Sequence, residues 1–268
     1  MIFDSHAHLD VEEFDGDRAE VLKKIRDAGV KYVLNPGVDI ETSKAAVRLA
    51  SEHDWIYAAV GYYPQETRHM NYDLLEEIKT LTEQPKVMAI GEIGLDYHWD
   101  DTPHDVQQFW FREQIRLAEK LGMPIIIHDR EAHGDVFKIL QEEKAFDSIK
   151  ILFHCFSGSA EFARQLTDRG CFLSVAGPIT YNTNRKAKAV LSAVPEDRLL
   201  VETDSPYLTP VPHRGERNDS SYIVHTIEKA AEYMGKTFEE TAELTYRNAL
   251  SFFGIKDGGS VSAAHIGE

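Results

Sequence analysis

The sequence predicts a single (β/α)8 TIM barrel of the α/β class with helical additions at its C-terminal end. Three observations carry the prediction. Eight short β-rich runs alternate with amphipathic helical segments, at the spacing of roughly 30 residues that a strand–helix unit needs. The length, 268 residues, suits one closed barrel of about 250 residues. No glycine- or proline-rich linker divides the chain, so it reads as one domain. Eight such units imply parallel strands joined by right-handed crossovers. Strand count and length together favour the closed barrel over an open doubly wound sheet.

In chain order, the first strand is read over Ile2–His8. A helix over Ala19–Ala28 follows, stopped by Gly29, because glycine adopts the left-handed turn that ends a helix. Strands over Tyr32–Asn35, Trp55–Val60 and Val87–Glu92 come next. The apolar spacing of Phe109–Leu121 marks a helix ended by Gly122, and Pro124–His128 is the fifth strand. Val136, Ile139 and Leu140 share a helix face before the sixth strand, Ile149–His154. A helix around Phe162–Leu166, ended by Gly170, leads to strands Cys171–Val175 and Leu199–Glu202. Two more helices are read over Tyr222–Met234 and Phe238–Phe253. Thr237 is the N-cap of the second, with Glu240 at the capping-box position. The barrel occupies 1–255. Residues 256–268, with Gly258-Gly259-Ser260 and little apolar content, are expected to be a disordered tail.

Composition narrows the function. With 43% hydrophobic and 28% charged residues, the chain is too apolar for disorder. No run of about 18 apolar residues exists to span a membrane. Met1–His6 lacks the basic and apolar regions of a secretory signal. Two cysteines, Cys155 and Cys171, form no disulfide framework, and a cytoplasmic location is expected. The net charge of −16 opposes a broad basic surface for duplex DNA. It is compatible with a small site that takes a nucleic-acid end. The 12 histidines call for an explanation.

That explanation begins at the first strand, which ends Asp4-Ser5-His6-Ala7-His8. Residues i and i+2 of a strand share a face, so His6 and His8 project together. Alone this pair is a weak metal signal, and two polar residues capping a strand is the better reading of it. Other strands, however, end alike: the fourth in Glu92, the fifth in His128, the sixth in His154 and the eighth in Glu202-Thr203-Asp204. Catalytic groups of this barrel sit at the C-terminal ends of its strands. Metal-capable side chains at five such ends have no structural explanation as good as a shared metal site. Six ligands exceed one ion's need, and Glu92 is the natural bridge, because a carboxylate has two oxygens that can serve separate ions. His6, His8 and Asp204 are assigned to one divalent ion, His128 and His154 to a second. Asp204 is also the candidate proton acceptor, and Glu92 and Asp204 are the expected catalytic carboxylates. Two ions, with Mg2+, Mn2+ or Zn2+ as candidates, make hydrolytic equipment. No glycine-rich dinucleotide fingerprint follows the first strand.

These motifs resemble the TatD family of metal-dependent deoxyribonucleases, in the amidohydrolase superfamily. The matching stretches are Phe3-Asp4-Ser5-His6-Ala7-His8-Leu9-Asp10, Ala89-Ile90-Gly91-Glu92-Ile93-Gly94-Leu95-Asp96-Tyr97, Pro124–Arg130, His154-Cys155-Phe156-Ser157-Gly158, Glu202–Tyr207 and His213–Asn218. The resemblance implies the barrel, a divalent-metal site on the six residues above, and 3′–5′ exonuclease activity on DNA ends, with RNA as a second substrate. The chain departs from the family pattern twice. Tyr63 stands where a histidine is usual, and Gly134 stands before Asp135 where an acidic residue is usual. Another ester, lactone or amide hydrolase of the superfamily is the alternative; a fourth-strand lysine would favour it, and Glu92 stands there instead.

Around the site, Arg130, Arg214, Arg217 and Tyr63 are candidates to hold phosphate oxygens. Arg214 and Arg217 have Glu216 and Asp219 as alternative partners. Tyr97, Trp99, Tyr181 and Tyr207 are candidates to stack a base, with rim packing as the alternative. His98, His104, His133 and His213 read as surface or supporting groups. Cys155 is expected to face the helix layer as a small buried hydrophobe. Ser157 or Ser159 caps a helix or meets an anion.

Overall fold

The computed structural model describes residues 1–256 and Gly258. Eight parallel strands run in sequence order, β1 (Ile2–Asp4), β2 (Val30–Pro36), β3 (Ile56–Val60), β4 (Val87–Asp96), β5 (Ile125–Arg130), β6 (Ile151–Phe153), β7 (Phe172–Val175) and β8 (Leu199–Val201). Every predicted run holds one of them. Strand β1 meets β8 at a seam: the Ser5 N–H donates to the Val201 carbonyl at 3.2 Å, and Ala7 bridges Ser205 in parallel. The barrel is thus joined at its C-terminal rim.

The helices are α1 (Arg18–Asp27), α2 (Ile40–Glu52), α3 (Tyr72–Leu81), α4 (His104–Leu121), α5 (His133–Glu142), α6 (Ala145–Ser148), α7 (Ala160–Thr167), α8 (Ala187–Leu191), α9 (Ile223–Met234) and α10 (Phe238–Phe253). They cover the sheet from outside, so strands are buried on both faces. That is why Ile125, Ile126 and Ile127 can all be fully buried on one strand, as parallel strands under helices require.

The last helix, α10, packs on the seam. Its start is the expected capping box: the Thr237 side chain accepts from the Glu240 N–H, and Glu240 accepts from the Thr237 N–H. Such a cap stabilises a helix by about 1 kcal/mol. Gly254 ends it at φ 68°, a left-handed conformation that suits glycine. Phe253 stacks on Phe3 of β1 at 5.6 Å, and the Asn248 amide donates to the Leu199 carbonyl at the start of β8. Both sides of the seam are therefore held from behind by one helix. The expected tail lies almost wholly outside the described residues.

Two strand lengths differ most from expectation. Strand β1 stops at Asp4 rather than at His8, because beyond Asp4 the backbone pairs at single points with β2 and β8. Strand β4 runs four residues past Glu92 to Asp96, because the chain stays paired with β5 as far as Asp96↔Arg130.

Candidate metal centre

Glu92 owes its position to an irregularity in β4. Ile90 pairs with Ile125 and Ile93 with Ile127, so three steps on β4 match two on β5. A bulge of this kind re-aims a side chain. The glycines beside it allow the close approach. A Cβ on Gly91 would lie 2.7 Å from Ile126 Cβ, and one on Gly94 would lie 2.0 Å from the His128 carbonyl oxygen.

The Glu92 carboxylate lies between two groups of donors. Its Oε2 is 2.8 Å from His6 Nε2 and 3.6 Å from His8 Nε2. Asp204 Oδ1 completes that group, 3.7 Å from His6 Nε2 and 3.6 Å from His8 Nε2. Its Oε1 is 3.3 Å from His128 Nδ1 and 3.8 Å from His154 Nε2. All six residues read from the sequence thus converge. His6 and His8 do so although they lie beyond β1, since the Ala7–Ser205 bridge keeps them on the seam. Asp204 takes φ 55°, left-handed backbone that aspartate tolerates better than most residues. Its N–H donates to the His6 carbonyl across the seam at 2.9 Å.

Behind the imidazoles stand two carboxylates, Asp96 and Glu202, that the sequence reading passed over as site residues. His128 Nε2 lies 2.9 Å from Asp96 Oδ2, which also accepts from the Tyr63 hydroxyl at 2.7 Å. His154 Nδ1 lies 3.3 Å from Glu202 Oε1, and Ser174 donates to the other Glu202 oxygen. A carboxylate behind an imidazole fixes its tautomer and turns the other nitrogen's lone pair forward. Here His128 Nδ1 and His154 Nε2 are the forward atoms. A signal for Glu202 was present, two residues before Asp204. Asp96 is hidden by the glycine-broken stretch after Glu92.

The electrostatics are those of a coupled cluster. Burial pushes the Glu92 carboxyl up, but His154, His128 and His6 together draw it well below its ordinary value. Burial opposes charge on His8 and His128, yet the carboxylates raise both to about 9. For His6 burial and the neighbouring His154 win, and its pKa falls. Burial raises the Asp96 carboxyl, but bonds from His128 and Tyr63 outweigh it and bring it to about 2. Burial together with the neighbouring carboxylates raises the Tyr63 hydroxyl, which stays protonated and donates. At the seam, Asp4 accepts from the Thr203 N–H at 3.0 Å and its hydroxyl at 2.5 Å. Burial raises Asp4 to about 7 against those bonds.

The donors fit divalent cations. Glu92 Oε2 is buried and, although His6 Nε2 is close, it makes no well-formed hydrogen bond. His6, His8 and Glu92 form one group that could hold an ion, and Glu92, His128 and His154 another. A third, of His6, His154 and Glu202, takes one histidine from each of these and adds Glu202. Imidazole nitrogen with carboxylate oxygen suits Zn2+ and Mn2+, and the carboxylates admit Mg2+.

The cluster floors a cavity of about 870 Å³. Arg130 and Tyr63 line it. Arg214 does not; its guanidinium sits 4.3 Å from the Tyr181 ring centre. Arg217 lies elsewhere too. It grips Asp17 at 2.6 and 3.0 Å and covers Phe14, so its pairing is with Asp17 rather than Glu216 or Asp219. Cys155 lines the cavity instead of facing the helices. Strand β6 has ended at Phe153 and Cys155 takes φ 43°, so strand alternation no longer applies. Ser159 is the N-cap of α7, accepting from the Phe162 N–H, while Ser157 lines the cavity. Lys186 and Asn184, which the sequence reading did not single out, also line it. His98, His133 and His213 pair with Glu131, Asp129 and Glu216, and His104 stacks on Tyr97. Gly134 lies in the first turn of α5 with free space around it.

An eight-stranded parallel barrel with imidazoles and carboxylates gathered at one rim defines a metal-dependent hydrolase. The chain matches the model of TatD related DNases over residues 3–254 and belongs to that family. It is 45% identical to YabD of Bacillus subtilis, described as an uncharacterized metal-dependent hydrolase, over 95% of this chain and all of that one. It is 31% identical to the 3'-5' ssDNA/RNA exonuclease TatD of Pantoea ananatis, over 95% of this chain and all of that one. The crystal structure of the TatD homolog YjjV from Escherichia coli superposes with a TM-score of 0.89 at 29% identity, covering 95% of this chain and 98% of that one. No helix among the described residues is long and apolar enough to cross a membrane.

Proposed function

We propose that the protein is a 3′–5′ exodeoxyribonuclease that hydrolyses phosphodiester bonds at DNA ends, with RNA as a second substrate. The observation that carries this is Glu92, which turns one oxygen to His6 and His8 and the other to His128 and His154. In this reading His6, His8 and Asp204 would hold one divalent ion and His128 and His154 a second, with Glu92 placed to serve both. When bound, such a pair lowers the pKa of a water and neutralises charge on the phosphate. Asp204 is held ionised, because bonds and charges from His8, His6 and His154 outweigh its burial. Ionised, it has an oxygen to offer an ion or the proton of the attacking water. Arg130, on the cavity wall, offers planar donors to phosphate oxygens. The exonuclease name of the Pantoea relative supports the reading.

The test compares wild type with Glu92→Ala in Mg2+, Mn2+ or Zn2+. Substrates are end-labelled single- and double-stranded DNA, RNA, and a panel of lactones and amides. Wild type is expected to shorten nucleic acid from its 3′ end, and Glu92→Ala to lose that activity. A wild type that spares nucleic acid and turns over a lactone or amide would overturn the proposal.

A further inference from the structure

Four aromatic side chains near the cavity are candidates for meeting a base, and the structure separates them. Tyr97 is committed: its ring stacks on His104 at 3.7 Å and its hydroxyl donates to Asp135 at 2.8 Å. Tyr181 is committed too, with Arg214 over its ring and its hydroxyl on the Thr209 carbonyl at 3.0 Å. Trp99 and Tyr207 have ring neighbours too, His98 edge-on to Trp99 at 4.7 Å and His8 edge-on to Tyr207 at 6.2 Å, but neither is stacked face to face on another ring. Both line the cavity, and both are about half exposed, at 49% and 51%. Leaving large apolar rings in water at the mouth of a cavity forgoes burial that folding normally favours.

Each ring is also anchored to a different half of the metal cluster. The Trp99 carbonyl accepts from the Gln65 amide at 3.1 Å, and the same amide donates to the Asp96 carbonyl at 2.9 Å. Asp96 is the carboxylate behind His128. Arg130 lies over the Trp99 ring at 5.5 Å. Tyr207 meets His8 edge-on at 6.2 Å. Its N–H donates to the Asp204 carbonyl at 2.9 Å. One ring therefore belongs to the His128 side and the other to the His8 side, with Glu92 between.

We propose that Trp99 and Tyr207 are stacking platforms that take unpaired nucleobases on the two sides of the scissile phosphate. The proposal rests on the nuclease reading above. A π-face accepts any base, so the platforms give grip without base preference. A base in a duplex is paired and stacked on its neighbours, so a strand end must be open to use them.

The probes are a ten-residue single-stranded deoxyoligonucleotide of mixed sequence and the same strand with abasic sites at its last three positions. Cleavage of both is measured for wild type, Trp99→Ala, Trp99→Phe and Tyr207→Ala. Wild type is expected to favour the base-bearing strand, and each alanine variant to lower that preference by about tenfold. Trp99→Phe, which keeps a π-face, is expected to retain most of it. Trp55 and Trp110 are buried, so binding of the base-bearing strand without added metal should quench mainly Trp99 emission. A preference equal in wild type and both alanine variants overturns the platforms while leaving the nuclease intact. A wild type that cleaves neither strand overturns the nuclease reading, and this inference with it.

Discussion

His128 stands on β5 and His154 just past the end of β6, in the middle of the sheet, whereas His6, His8 and Asp204 stand where its first and last strands meet. The two halves of the cluster are held differently. In the mid-sheet half, each imidazole has a carboxylate behind it, and each carboxylate has a hydroxyl behind that: Tyr63 on Asp96, Ser174 on Glu202. In the seam half, the His6 Nδ1 is buried with no partner. There, orientation comes from backbone bonds across the join, from the Asp4–Thr203 contacts and from the left-handed turn at Asp204. One half is tuned by side chains and the other by closure of the barrel. Substitutions behind the imidazoles should therefore act locally in the first half and not in the second.

The largest effect tests what the halves share. Glu92→Ala should abolish binding of both ions, and lower turnover on the order of a thousandfold or more, as loss of several kcal/mol of metal-borne stabilisation implies. Metal content by mass spectrometry reads this directly, and retention of one tightly held ion would show that Glu92 serves only one half. Asp204→Asn comes next. Its expected result is one ion lost and one kept; loss of both at once would mean that the halves do not bind separately.

Smaller effects probe the buttresses. Asp96→Asn and Glu202→Gln should each weaken one ion by about 10–100-fold, the usual cost of losing a carboxylate behind a metal-bound imidazole. Calorimetric titration should show the other binding step unchanged. Tyr63→Phe should have the least effect. It removes one hydrogen bond from Asp96, worth about 1 kcal/mol, so the same binding step should weaken by roughly fivefold with the fold intact. An unchanged titration would assign Tyr63 to the substrate rather than to Asp96.

These differences also explain what could be read from the sequence. Apolar runs ending in Glu92, His128, His154 and Asp204 pointed to a shared site because one such strand end can be a satisfied core residue, whereas the same event on several strands is hard to explain structurally. The alternation of strands and helices, with Gly29, Gly122 and Gly170 as stops, carries the fold. The capping box at Thr237 was legible because it is a contact between near neighbours. Asp96 was not, and Tyr63 was read only as a phosphate holder, since the two meet across 33 residues and Asp96 matches no ligand spacing. Cys155 was misread because the strand period was carried two residues beyond the end of β6. Arg217 was misread because its partner, Asp17, lies 200 residues away.

The seam has a consequence in time. Asp4 and Thr203, which meet there, are 199 residues apart, and α10, which holds both sides, comes later still. A growing chain presents His6, His8, Glu92, His128 and His154 long before Asp204 exists. Domains are made from the N-terminus onward at about 5–20 residues per second, so the hydrolytic centre is among the last things the chain acquires. Fragments from interrupted synthesis would carry most of its ligands without the closure that assembles them. Hydrolysis at this centre thus waits until the chain has been made as far as α10.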